Sequence, residues 1–147
     1  MAETLGMLCD KLTIVKLKQY HSDDPEKQIN LAQQAGALQL EIDEYFSDAM
    51  LGRIDPTKLT FAANKVYHSS GNEIREIKGN IGQLIGELAN VNCLLWHEQE
   101  KVYEFAKVPA SEKDAVVKNL AVLNLERNRC IDTINQQFKD LILNSKK

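Results

Sequence analysis

Three polar side chains interrupt an apolar helical seam in the second half of this chain. Glu98 takes the stripe position between Leu95 and Val102, while Asn124 and Arg127 take two consecutive positions between Leu120 and Ile131. In an antiparallel hairpin turning near Pro109, Arg127 lies opposite about Asn92 and Glu98 opposite about Ala121. At ~1.5 Å of rise per residue these groups fall within roughly two turns of one another. Asn92, Glu98, Asn124 and Arg127 are therefore expected to form one mid-bundle polar cluster, with Asn128 and Asp132 extending it towards the flank. Two roles fit such a cluster. It can be a ligand pocket, with Arg127 as anion anchor and Glu98 as base or ligand. It can equally be a buried Glu–Arg layer that fixes helix register.

Other chemistry-bearing residues point nowhere as sharply. The residues three before His21, His68 and His97 are Lys18, Lys65 and Leu94, so the Glu-x-x-His metal signature of helical bundles is absent. Glu41 with Glu44, and Glu73 with Glu76, have the Glu-x-x-Glu spacing of magnesium-dependent helical hydrolases, but neither is doubled and no Glu-x-x-Asp follows. Cys9, Cys93 and Cys130 are odd in number and embedded in apolar helical patterns, which suits buried free thiols in a reducing cytosol. No metal and no cofactor is implied.

The elements that must position the cluster read as all-α. Asp24-Pro25-Glu26 is an N-cap, N1 proline and first-turn acid. Gly52 fits the left-handed position beyond a helix end, and Asp55-Pro56 repeats the capping device. Ser70 with Glu73, and Ser111 with Asp114, have the spacing of capping boxes. Helices are expected from about Thr4 to His21, Pro25 to Met50, Gly71 to Lys107 and Glu112 to Asn144, with a short one from Thr57 to Tyr67. The seams run through Ile74, Ile77, Ile81, Leu84, Leu88 and Val91 in the third, and Val117, Leu120, Ile131, Ile134, Phe138 and Leu141 in the fourth. Gly79, Gly82 and Gly86 suggest a close helix approach or a kink, and Gly6 a close approach.

Leu5–His21 and Ile81–His97 read as copies of one another, with Gly6 on Gly82, Leu12 on Leu88 and an aromatic-His pair, Tyr20-His21 and Trp96-His97, closing each. The chain is thus expected to be a single domain. Two duplicated hairpins, 4–50 and a longer 70–144 joined by a connector over 51–69, pack as an antiparallel four-helix bundle.

At 147 residues and net charge −3 the chain has the composition of a soluble domain, and its lack of a basic stripe argues against nucleic acid. No apolar run approaches the ~20 residues of a membrane span, and the opening MAETLGML lacks the features of a signal peptide. A cytoplasmic location without membrane insertion is expected.

Leu5 to Ile14 (Leu-Gly-x-Leu-x-Asp-Lys-Leu-Thr-Ile), Asn92 to Glu98 (Asn-Cys-Leu-Leu-Trp-His-Glu) and the run from Leu123 to Asp132 together resemble the signatures of a bacterial all-helical family of unknown function. That resemblance covers most of the chain and implies a helical fold without assigned activity. It also implies an association with glycosyltransferases of cell-surface polysaccharide synthesis. Its motifs carry over onto Asp10, Lys11, Asn92, Trp96, Asn124, Arg127, Asn128 and Asp132, while Leu125-Glu126 stands where such relatives often have Gln before Arg. The candidate ligand site is therefore Asn92, Trp96, Glu98, Asn124, Arg127, Asn128 and Asp132, with no catalytic residue assigned. The function expected is a non-enzymatic interaction or accessory module, a homo-oligomer or the partner of another protein. The alternative is a binder or enzyme for a phosphorylated or sugar-nucleotide ligand.

Overall fold

A computed structural model of the chain describes residues 3–60 and 75–145. Those residues form an all-α bundle of four helices: α1 (Leu5–His21), α2 (Pro25–Met50), α3 (Ile81–Tyr103) and α4 (Lys113–Ser145). Short 3-10 turns occupy Pro56–Lys58, Phe105–Lys107 and Ala110–Glu112. No strand occurs among the described residues.

Local signals set most of the boundaries. Asp24 caps α2 by accepting from the Glu26 N–H at 3.0 Å, with Pro25 at the first helical position. At the other end Gly52 sits at φ +75°, its N–H donating to the Ala49 carbonyl while Arg53 N–H donates to that of Asp48. This pair of bonds is the Schellman geometry that a glycine permits. The α1–α2 turn is closed by Gln28, whose amide donates to the carbonyls of Gln19 and Ser22, both at 2.6 Å.

The third helix starts later than the apolar stripe suggests. Gly79 takes φ +143°, which an L side chain rarely adopts, and the Asn80 N–H donates to Gln83 Oε1 at 2.9 Å as a capping box begins the helix at Ile81. Ile77 precedes the helix but still enters the core. The expected box at Ser70 and Glu73, and the helix start near Gly71, lie outside the described residues, as does most of the short helix expected over 57–67. Its beginning is the 3-10 turn at Pro56–Lys58.

One apolar core joins all four helices with Leu59 and Ile77. Leu84, Leu88 and Val91 of α3 are fully buried there, with Leu5 of α1 and Ile134 and Phe138 of α4. A smaller cluster of Val15, Leu31 and Ala35 lies between α1 and α2. In α4 the buried line runs through Val116 and Ile142, whereas Val117 and Leu141 are more than half exposed. A rhythm of threes and fours averages 3.5 residues and drifts ~20° per heptad on a straight helix. Over the length of α4 that drift moves the contact line onto neighbouring positions.

Helix α1 is the hub: it packs on α2, α3 and α4 alike, which is why it is apolar on two sides. Its first turn lies against α4, where the Gly6 N–H donates to Asn135 Oδ1 at 2.7 Å. A Cβ at Gly6 would stand 2.5 Å from the Ile131 carbonyl oxygen. The close approach expected of Gly6 is therefore real. Gly82 and Gly86 have nothing within 4 Å of a Cβ position, so no close approach accounts for them. Helix α2 lies along α1 and reaches α4 through Tyr45 and Phe46, whose rings meet Phe138 at 5.8 and 4.9 Å.

Candidate functional site

Two polar residues of the second hairpin, Asn92 and Arg127, meet mid-bundle on a partner from the first. Asp10 of α1 is buried, 4% exposed. Arg127 donates to it twice, from Nε to Oδ1 at 2.8 Å and from Nη2 to Oδ2. Asn92 Nδ2 donates to the same Oδ1 at 2.9 Å and to Thr13 Oγ1 at 2.7 Å, and the Thr13 hydroxyl donates to the Asp10 carbonyl at 2.8 Å. Three helices thus meet in a chain of charge-assisted bonds with a two-pronged Arg–carboxylate pair at its centre. Asp10 raises the Arg127 pKa through this hydrogen bonding, against the opposing effect of burial, so the guanidinium stays charged.

Glu98 does not join this centre. It pairs with Lys101 one turn along its own helix, at 3.0 Å. Six residues separate Glu98 from Asn92, which at 3.6 residues per turn rotates it about 120° away. Arg127 therefore takes its carboxylate from α1 rather than from α3.

The remaining candidates lie around the centre. Trp96 and Asn124 join Arg127 and Asn92 in lining a cleft of about 190 Å³ between α1, α3 and α4. On the opposite side of Arg127 a larger open cleft of about 640 Å³ runs over α1 between α2 and α4. Asp10, Lys11, Arg127 and Asn128 line it, and Lys11 pairs there with Glu3 at 2.6 Å. Asp132 follows one turn beyond Asn128, half-buried.

Residue patterns in the second hairpin do not reveal Asp10 and Thr13, although Asp10 belongs to the resemblance. A usable signal existed: Gly6, Asp10, Thr13 and Leu17 recur at steps of four, three and four, a second helical face of α1. That face is turned to α3 and α4. A further ion-paired group lies outside every sequence expectation. Arg75 pairs with Glu87 of α3 and, at 3.3 Å, with the buried Glu126 of α4. It pins the segment entering α3.

Cys9 and Cys130 are buried, and their thiol pKa values are pushed up to about 11, chiefly by burial, with Asp10 and Glu87 respectively adding to the effect. Neither is an activated nucleophile. No group of three or more His, Cys, Asp or Glu placed to hold a metal occurs among the described residues, and none of their helices is long and apolar enough to cross a membrane.

Taken together, these features define the class as an all-helical bundle with a half-buried, internally paired polar centre. Comparison with known proteins adds no nearer assignment: no protein-family model, curated protein or solved structure matches the chain.

Proposed function

We propose that this protein is a non-enzymatic helical module that acts by association, with itself or with a protein partner. The observation that supports this reading most directly is the internal pairing of the polar centre. Arg127, the one candidate anion anchor, commits two donors to a buried carboxylate of its own chain. A half-buried ion pair committed in this way serves register and specificity better than it serves ligand capture. Large apolar side chains meanwhile face solvent on both hairpins. Ile29 and Leu40, three turns apart on α2, are 63% and 60% exposed, and Tyr103 and Val117 near the tip of the long hairpin are 80% and 57% exposed. The resemblance to bacterial helical proteins supports a cytoplasmic setting beside the enzymes of cell-surface glycan synthesis. Light scattering tests self-association: the wild type should exceed the monomer mass. Ile29→Glu/Leu40→Glu or Tyr103→Glu/Val117→Glu, whichever pair lies in the contact, should return it to monomer. A strict monomer at every concentration contradicts self-association.

A second reading, a small-molecule binder, draws support from the cleft beside Arg127 and Asn128. Its volume of about 640 Å³ falls within the roughly 300–1,000 Å³ of ligand pockets, whereas the cleft of about 190 Å³ beside Trp96 falls short. A thermal-shift screen with nucleotides, sugar nucleotides and sugar phosphates tests it, because a ligand selective for the folded state raises the melting temperature. The absence of any shift at millimolar ligand removes those classes.

A further inference from the structure

The outer face of α2 has the composition of an interface. From Gln28 to Leu40 there is no charged residue, although 27% of the whole chain is charged, and nine of these thirteen positions are exposed. A helix face left in water normally carries charge, whereas the centre of a protein–protein contact is depleted of it. Among the described residues α2 packs chiefly on α1, which leaves this side open. Ile29 and Leu40 lie eleven residues apart, and Leu51, 62% exposed at the helix end, stands eleven further on. Eleven residues make three turns and about 20°, so the three side chains form one straight stripe about 33 Å long. Met50, equally exposed, flanks its end.

We infer that this face docks on the same face of a second copy, the two α2 helices running antiparallel about Leu40. The inference rests on the association reading above and names its surface. Turned end for end about Leu40, the stripe is self-complementary: Leu51 of the second copy meets Ile29, Leu40 meets Leu40, and Ile29 meets Leu51. That is the isologous contact of a two-fold dimer. Charge selects this register. Glu41, Asp43 and Glu44 of each copy come opposite Gln39, Ala37 and Gly36 of the other, where no like charge stands. Gly36 has nothing within 4 Å of a Cβ position, which leaves room for the Glu44 stem. Parallel helices would set the same acids against themselves, and a slide that brings Ile29 onto Leu40 would set Glu26 against Asp43. At the ends of the pair Glu26 comes within one residue of the level of Arg53. Lys27, level with Arg53, lines instead the cleft at the α1–α2 turn.

Thiol cross-linking of the full chain reads the register, in a Cys93→Ser background that removes the half-buried native thiol. A short bismaleimide, matched to the roughly 8–10 Å between packed helix axes, should join two Leu40→Cys copies. Ile29→Cys alone should cross-link several-fold less, because its two thiols lie about 33 Å apart. Ile29→Cys mixed with Leu51→Cys should recover the product. Light scattering gives the mass of each variant, and circular dichroism confirms that these exposed substitutions leave the fold intact. Efficient cross-linking of Ile29→Cys to itself overturns the antiparallel register. A dimer whose Leu40→Cys form does not cross-link overturns this face and leaves the association reading standing. A monomer at every concentration overturns the face and self-association together.

Discussion

Arg127 on the last helix holds both carboxylate oxygens of Asp10 on the first, across 117 residues of chain. This pair makes the bundle's helix order specific. Asp10 is buried, so any packing of α1 that misplaces Arg127 leaves its carboxylate without a charge partner in the interior. Asn92 adds a third helix to the same oxygen. The polar centre therefore reads as a pin through α1, α3 and α4.

Asn92→Asp tests the pin through charge alone. The replacement keeps the shape, removes both amide donors and sets a second carboxylate beside Asp10. Two carboxylates sharing one site cannot both ionise cheaply, so a carboxyl pKa of the folded pair rises above its unfolded value of about 3.9. Stability gained from that shift is present below about pH 4 and is lost as pH climbs through the raised folded value. Denaturant titrations should show the variant's deficit against wild type growing from pH 4 to pH 7. A deficit independent of pH would mean that the new carboxylate does not meet Asp10.

Gly6→Ala should destabilise by about 1–3 kcal/mol, because the new Cβ meets the Ile131 carbonyl and Asn135 Oδ1 and α1 must move off α4. Gly82→Ala and Gly86→Ala have open space and should each stabilise by about 0.5–1 kcal/mol. Thermal melts followed by circular dichroism separate these directions. A harmless Gly6→Ala would contradict the close α1–α4 approach.

The thiols give a chemical and an alkaline signature. Half-buried Cys93 should react with a thiol reagent in the native protein, whereas Cys9 and Cys130 should react only on unfolding. Their folded pKa values of about 11 exceed the ordinary 9.0, so the unfolded chain loses thiol protons first as pH rises. The stability they contribute is complete below pH 9 and fades between about pH 9 and 11, on the order of 2 kcal/mol per thiol. Cys9→Ala and Cys130→Ala should flatten that part of the pH profile. An unchanged slope in the double variant would assign it to other groups.

The helical elements were legible where capping chemistry is local. Asp24-Pro25 and Gly52 mark the bounds of α2 directly. Gly79-Asn80 with Gln83 carried the start of α3 just as plainly, yet the apolar stripe ran past it, because Ile77 packs in the core without being helical. The site was half legible. Arg127 and Asn92 stood out as polar residues on seams, and their convergence follows from hairpin geometry. Asp10 did not stand out in the patterns of the second hairpin, since a partner on another hairpin leaves no spacing signal there. Glu98 misled because closeness along the helix was weighed above rotation: six residues from Asn92 turn it about 120° off the face that meets Asp10.

A double-mutant cycle on the central pair, read by urea unfolding, tests the account most directly. Arg127→Met alone should cost about 2–3 kcal/mol by stranding the Asp10 carboxylate, with the partial exposure of Arg127 holding the cost to that range. Asp10→Leu alone should cost a similar amount. The double variant Asp10→Leu/Arg127→Met should recover most of the loss, to within about 1 kcal/mol of wild type, since an apolar pair can replace a buried ion pair. Additive losses, or an Arg127→Met variant as stable as wild type, would contradict the pin and return Arg127 to the role of a spare cation facing a ligand.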